Sequence, residues 1–124
     1  MGDKKNTYSS GGSLYGKATN RNCISIEICS TCTPNTSTAV SVANHRGWSF
    51  TDATLNNAVK LTKLLMKRYN IPINNVIRHY DVSGKLCPGI VGWNNETIYD
   101  VTTGKSTKEK SDSSAWLKFK DQIK

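Results

Sequence analysis

The chain has 124 residues, which is enough for one domain with a modest hydrophobic core. Its formal net charge of +8 favours polyanionic partners, namely nucleic acid, anionic lipid or a phosphate-bearing polymer. No apolar run is long enough to span a membrane, and no hydrophobic stretch of a secretory signal follows the N-terminal lysines. We therefore expect a protein without a membrane span that is made in the cytoplasm, where its four cysteines stay reduced.

The first 22 residues are rich in Ser, Gly, Asn, Lys and Thr, and this composition predicts irregular backbone. Residues 23–124 are expected to form the core of a single domain that comprises the whole chain, 1–124. The sequence indicates no internal repeat, no linker and no second domain.

The clearest strand pattern lies at residues 23–29, where apolar and polar side chains alternate. Ile24, Ile26 and Ile28 would share one face, which we expect to pack on a core. Glu27 would stand on the opposite face in the middle of the strand, either as a harmless surface glutamate or as a residue of a site. The pattern alone does not separate these two interpretations.

Cys29 and Cys32 have the spacing of half a zinc knuckle, and His45 follows in a polar, turn-like segment. No second cysteine pair follows at a suitable distance. Two thiols at a strand end and a loop histidine are therefore the favoured interpretation, and a zinc site built from these three residues is the less favoured one.

Residues 52–70 predict an amphipathic helix, because apolar side chains recur at three- and four-residue steps. The recurring residues are Leu55, Ala58, Val59, Thr62, Leu65, Met66 and Tyr69. Thr51 or Asp52 provides an N-cap, and Asn70 and Pro72 end the helix. The basic side chains lie largely on its other sides, which we interpret as a solvated face.

A short β-branched segment at 76–79 predicts a second strand, and the helix before it indicates a crossover that covers one sheet face. This strand leads directly into the sequence RHYDVSGKLCP, which holds His79, Lys85 and Cys87. Gly84 allows a sharp turn, so His79 and Cys87 could reach one ion. Imidazole nitrogen and thiolate sulfur are ligands that zinc favours.

The C-terminal part predicts a brief strand at 98–101 and a charged, mobile run at 105–110. A last helix follows, on which Trp116, Phe119 and Ile123 form a narrow apolar stripe. We expect this stripe to dock on the body of the domain.

Together these residues contain most of a site for amide hydrolysis. Zinc held by His79 and Cys87 would lower the pKa of a bound water to about 7. Glu27 could take the proton of that water as general base, and Lys85 could stabilise the oxyanion of a tetrahedral intermediate. A catalytic zinc usually takes three ligands from the protein, so one ligand is missing from this set.

Two other interpretations are weaker. Cys87 as nucleophile with His79 as its base would make a cysteine protease, but Pro88 removes a backbone N–H that often helps an oxyanion hole. A nucleic-acid binder rests on net charge alone, since the aromatic residues are not interleaved with the basic ones. We therefore expect no nucleic-acid partner.

Most of the chain resembles the zinc-dependent N-acetylmuramoyl-L-alanine amidases of the type-2 class, which are related to peptidoglycan recognition proteins. It closely resembles the clostridial phage endolysin or autolysin versions of this family. Residues 20–29 look like the family's Asn-x-x-Ser-Ile-Gly-Ile-Glu strand, and 48–70 look like its central helix with the lead-in. Residues 76–88 carry the most specific motif, and 116–120 look like the closing helix.

The resemblance implies an α/β fold with a mixed central sheet, flanking helices and a Zn²⁺ site at the mouth of a substrate groove. It implies a hydrolase of peptidoglycan that cleaves the bond between N-acetylmuramic acid and L-alanine, and that acts on the cell wall after release from the cytoplasm. By position, His79 and Cys87 match two zinc ligands. Glu27 matches the catalytic glutamate, and Lys85 matches the lysine that assists the transition state.

In the family a further histidine ligand lies near the end of an earlier core strand, but residues 1–22 hold no histidine and no strand pattern. We therefore expect a chain that is truncated at its N-terminus, lacks a core strand and has no separate wall-binding domain. The alternative interpretation is a non-catalytic peptidoglycan-binding or regulatory remnant. Exposed sheet edge and apolar surface would favour self-association or association with a full-length enzyme.

Overall fold

The computed structural model of the chain describes residues 14, 16–42, 45–85, 87–93, 97–100, 105–108 and 112–124. The irregular backbone predicted for the first 22 residues falls partly outside this range, and the described residues 16–22 form turns and a bend. Among the described helices, none combines the length and the apolar character needed to cross a membrane.

A short hairpin follows these turns. Strand β1 (Thr31–Cys32) pairs antiparallel with β2 (Trp48–Ser49), and helix α1 (Ser37–Val40) lies between them in the chain. Gly47 permits the close approach of the two arms, because a Cβ at this position would lie 1.8 Å from the carbonyl oxygen of Thr33. The same two residues are joined by a backbone hydrogen bond of 2.9 Å.

The helix predicted over 52–70 is confirmed as α2 (Asp52–Tyr69). At its start, the side chain of Thr51 accepts the backbone N–H of Thr54 at 3.1 Å, which satisfies one of the unpaired donors of the first turn. At its end, Asn70 adopts the left-handed conformation with φ 53°, and its N–H reaches back into the last turn.

Two predicted strands are wrong. Residues 23–29 carry no strand, and the segment predicted as a strand at 76–79 is irregular up to the point where α3 (His79–Ser83) begins. A single-turn 3₁₀ helix (Ile73–Asn75) precedes it. A strand needs a neighbour for its backbone hydrogen bonds, and no described strand runs beside either segment.

A second hairpin follows α3 in the chain, and in it β3 (Thr97–Asp100) pairs antiparallel with β4 (Lys105–Lys108). Strand β3 confirms the brief strand predicted at 98–101, although residue 101 lies outside the described residues. Strand β4 contradicts the mobile run predicted at 105–110 for residues 105–108, where backbone pairing outweighs the low strand propensity of lysine, whereas residues 109 and 110 lie outside the described residues. The fold class is α/β, but the described strands form two separate antiparallel pairs and not the expected mixed central sheet.

The core joins α2 to the last helix, α4 (Ser114–Gln122). Its buried members are Ala58, Ile90, Trp93, Trp116, Phe119 and Ile123. The ring of Trp93 lies 5.5 Å from both Phe50 and Phe119, in the edge-on and tilted arrangements that aromatic pairs prefer. The stripe predicted on the last helix is therefore confirmed, and it is at most 9% exposed.

Candidate functional site

An open groove of about 1040 Å³ is lined by the aromatic core and by two segments, 22–28 and 74–79. Three of the predicted site residues, Glu27, His79 and Cys87, line this groove. The fold thus brings together side chains that the sequence places far apart.

His79 is the first residue of α3, and the local sequence explains why the helix begins there. The carboxylate of Asp81 accepts the backbone N–H of Arg78 at 2.8 Å, as a capping residue does at a helix start. Gly84 ends the helix after little more than one turn, in the left-handed conformation with φ 75°. Because the helix is so short, its two ends lie close together.

Cys87 returns to the start of this helix. The backbone N–H of Tyr80 donates to the carbonyl oxygen of Cys87 at 3.2 Å, which holds the cysteine beside the residue that follows His79. Cys87 is half-buried, and the peptide bond to Pro88 is cis. Leu86 lies outside the described residues.

Neighbouring charged groups shift the pKa values of His79 and Cys87. Burial lowers the pKa of His79, and the ammonium group of Lys85 lowers it further, so the imidazole is neutral at pH 7 and has a free lone pair. Burial raises the pKa of the Cys87 thiol, Lys85 opposes this, and the carboxylate of Glu27 adds to it. All four predicted site residues therefore belong to one electrostatic neighbourhood.

The segment that carries Glu27 differs from the predicted pattern. Ile24 and Glu27 both line the groove, although strand alternation would put them on opposite faces. Ile24 is 52% exposed, whereas Ile28 packs against the core. Without a neighbouring strand, nothing imposes the regular pleat that sorts side chains to two faces.

Cys32 and His45 form a pair of their own. Nε2 of His45 lies 2.8 Å from Sγ of Cys32, and Nδ1 accepts the backbone N–H of Gly47 at 2.8 Å. A neutral ring that accepts at Nδ1 must carry its proton on Nε2, so His45 donates to the sulfur. The buried ring has no lone pair left for a metal, and this argues against the zinc site of Cys29, Cys32 and His45.

The candidate ligands at the groove are of types that zinc prefers, but they are too few for a usual zinc site. His79 offers a neutral imidazole and Cys87 a sulfur, the two donor types of many zinc sites. Within the described residues, however, no three His, Cys, Asp or Glu side chains lie together as a metal-binding group. Two protein ligands would leave at least two positions to water or to other groups.

One cluster was not anticipated from the sequence. The guanidinium group of Arg78 binds the carboxylate of Asp81 at 2.7 Å and lies over the ring of Trp116, 5.2 Å from its centroid. The ammonium group of Lys120 lies 5.4 Å from the same centroid. The i, i+3 spacing of Arg78 and Asp81 was the one available signal, since the partners on α4 are distant in sequence.

The groove is lined by the carboxylate of Glu27, the imidazole of His79 and the thiol of Cys87 beside apolar residues of the core, and Lys85 acts electrostatically on His79 and Cys87. Residues 3–90 match the sequence model of the Amidase_2 family, described as N-acetylmuramoyl-L-alanine amidase. This match covers more than half of the chain, and the chain belongs to that family.

A curated relative is similar over a shorter stretch. The N-acetylmuramoyl-L-alanine amidase CwlL of Bacillus licheniformis is 49% identical over 35 residues, which are 28% of this chain and 10% of the relative. The chain therefore covers a small part of that protein's length. No solved structure matches significantly.

Proposed function

We propose that this chain is a peptidoglycan hydrolase that cleaves the amide bond between N-acetylmuramic acid and L-alanine. The observation that carries the proposal is that Glu27, His79 and Cys87 line one groove, and that the charge of Lys85 acts on both His79 and Cys87. The family match, which covers all four residues, supports the same activity.

In this proposal, His79 and Cys87 hold a zinc ion. The ion would supply a bound water of lowered pKa and polarise the scissile carbonyl. Its binding would release the thiol proton of Cys87, because thiolate is the form that ligates metal and burial keeps the free thiol protonated.

The remaining roles fall to the two charged side chains. Glu27, exposed at the groove, takes the proton of the attacking water and returns it to the leaving amine. Lys85 stabilises the negative charge that develops on the carbonyl oxygen, since its ammonium group already acts on both ligand positions.

The chain would act on the cell wall after release from the cytoplasm, as an endolysin or autolysin does. The opposite alternative is a non-catalytic peptidoglycan-binding or regulatory remnant. One observation favours this second candidate: His79 and Cys87 are only two donors, and no described third ligand joins them.

A related proposal concerns partners. Residues 23–28 and 76–78 line the groove without a described strand beside them. A strand added by a second copy or by a full-length amidase would complete a mixed sheet and supply backbone hydrogen bonds. Sedimentation velocity of the purified chain tests self-association, and a monomer at all concentrations would rule it out.

The activity is tested on isolated cell walls. We expect the purified chain to release stem peptides with a free L-alanine amino group, to lose this activity with a chelator and to regain it with zinc. Cys87→Ser should lose zinc binding, whereas Cys29→Ser, the same change at an exposed thiol that does not line the groove, should keep it. Zinc binding without any turnover would refute the proposed hydrolase activity and support the non-catalytic binding remnant. Equal, negligible zinc binding in all three proteins would refute the metal site.

A further inference from the structure

Lys120 connects the last helix to the segment that leads into His79. Its ammonium group donates a hydrogen bond of 2.7 Å to the carbonyl oxygen of Val76 and a second, short one to the carbonyl oxygen of Ile73. Both acceptors belong to the turn that ends three residues before His79. Hydrogen bonds from a charged donor are stronger than those between neutral groups, so this contact fixes the backbone of the turn.

Trp116, one turn earlier on α4, extends the contact to the other end of the same segment. Its ring lies between the ammonium group of Lys120 and the guanidinium group of Arg78, 5.4 and 5.2 Å from its centroid. Two bonds to the carboxylate of Asp81, of 2.7 and 3.1 Å, keep the guanidinium group in place. Residue 78 immediately precedes His79.

We propose that Lys120 is a positioning residue for His79: together with Trp116 it holds residues 73–78 and thereby sets the direction of the imidazole at the groove. The inference rests on the proposed function, in which His79 ligates zinc. It adds a contribution from α4, a helix that lies beyond the residues matched by the family.

Variants of Lys120 can distinguish a role of its hydrogen bonds to the two carbonyl oxygens from a role in packing alone. Lys120→Met keeps an aliphatic side chain of similar length but removes the three donors, which leaves two partly enclosed carbonyl oxygens without their charged partner. Lys120→Arg keeps a donor and should restore the wild-type behaviour. Lys118→Met is the matched control, since Lys118 is exposed on the same helix.

The test measures backbone order by ¹⁵N relaxation and zinc affinity by calorimetry. In Lys120→Met we expect lower order parameters for the amides of 77–80 with those of α2 unchanged, and zinc binding weakened about tenfold, as for other residues that orient metal ligands. On cell walls kcat should fall while KM changes less than twofold. Lys120→Arg and Lys118→Met should match the wild type.

Unchanged order parameters in Lys120→Met would overturn the inference. If they fall but the wild type neither binds zinc nor cleaves cell walls, the positioning role stands and the proposed function fails. If Lys120→Met does not fold, Lys120→Gln, whose shorter amide cannot reach both carbonyls, is measured in the same way and decides the question by the same criterion.

Discussion

The carboxylate of Glu27 raises the pKa of the Cys87 thiol, although the two residues belong to distant segments of the chain. This effect requires the two groups to lie within the range of a weakly screened interaction, on the walls of one groove. Lys85 acts on the same thiol in the opposite direction. The ionisation of Cys87 therefore reports on both charged partners.

Glu27→Gln tests this relationship and the catalytic role together. Removing the negative charge lowers the pKa of Cys87, so more thiolate is present at a given pH and alkylation by iodoacetamide should be faster, as measured by mass spectrometry of the Cys87 peptide. Cell-wall hydrolysis should fall by about 10²–10⁴-fold, the usual contribution of a general base. Asp121→Asn, an exposed change on α4, should alter neither the alkylation rate nor cell-wall hydrolysis. An unchanged alkylation rate in Glu27→Gln would show that Glu27 and Cys87 do not interact.

Lys85→Met should raise the pKa of His79. The ammonium group destabilises the protonated imidazole, so its removal lets the ring keep its proton to a higher pH, while burial still lowers the pKa. The titration of the ring proton Hε1 in NMR spectra gives the midpoint directly. Lys63→Met, on the exposed side of α2, is the control, and identical His79 midpoints in both variants would contradict the assigned proximity.

The two histidines should respond differently to zinc. His45 should appear in ¹H–¹⁵N correlation spectra as the neutral ring with its proton on Nε2, because Gly47 donates to Nδ1. Added zinc should shift the ring signals of His79 and leave those of His45 in place. A zinc-dependent shift at His45 would mean that the pair with Cys32 opens and that the less favoured metal site exists.

Phe119→Ala should destabilise the domain by about 3–5 kcal/mol, the usual cost of removing a buried aromatic ring. The ring is 6% exposed and stacks on Trp116 at 5.7 Å. Leu117→Ala on the same helix removes a side chain that is 61% exposed and should change the free energy of unfolding by less than about 0.5 kcal/mol. Urea unfolding measures both, and equal effects would show that α4 does not dock by this face.

The two long helices, α2 and α4, were predictable because their signals are local, whereas the short helices α1 and α3 were not predicted. The stripe of α2 and its Thr51 cap, and the stripe of α4 with Trp116 and Phe119, depend on periodicity within a few turns. The strands at 23–29 and 76–79 were not predictable in the same way, since a strand forms only beside a partner that the pattern cannot supply.

The candidate site was predicted by residue type and not by geometry. The motif from His79 to Cys87 suggested a metal site, and the structure brings Glu27 and Lys85 to it. The contacts of Arg78 and Lys120 with Trp116 could not be foreseen, because a cation over a ring leaves no spacing signal between distant segments.

The limits of the family match and of the folding unit do not coincide. The match ends at residue 90, yet four of the six buried core residues, Trp93, Trp116, Phe119 and Ile123, follow it. In a chimeric protein, a junction placed at the end of the family match would divide this core. Because residues on both sides of position 90 share this core, a chimeric protein should take both parts from the same parent.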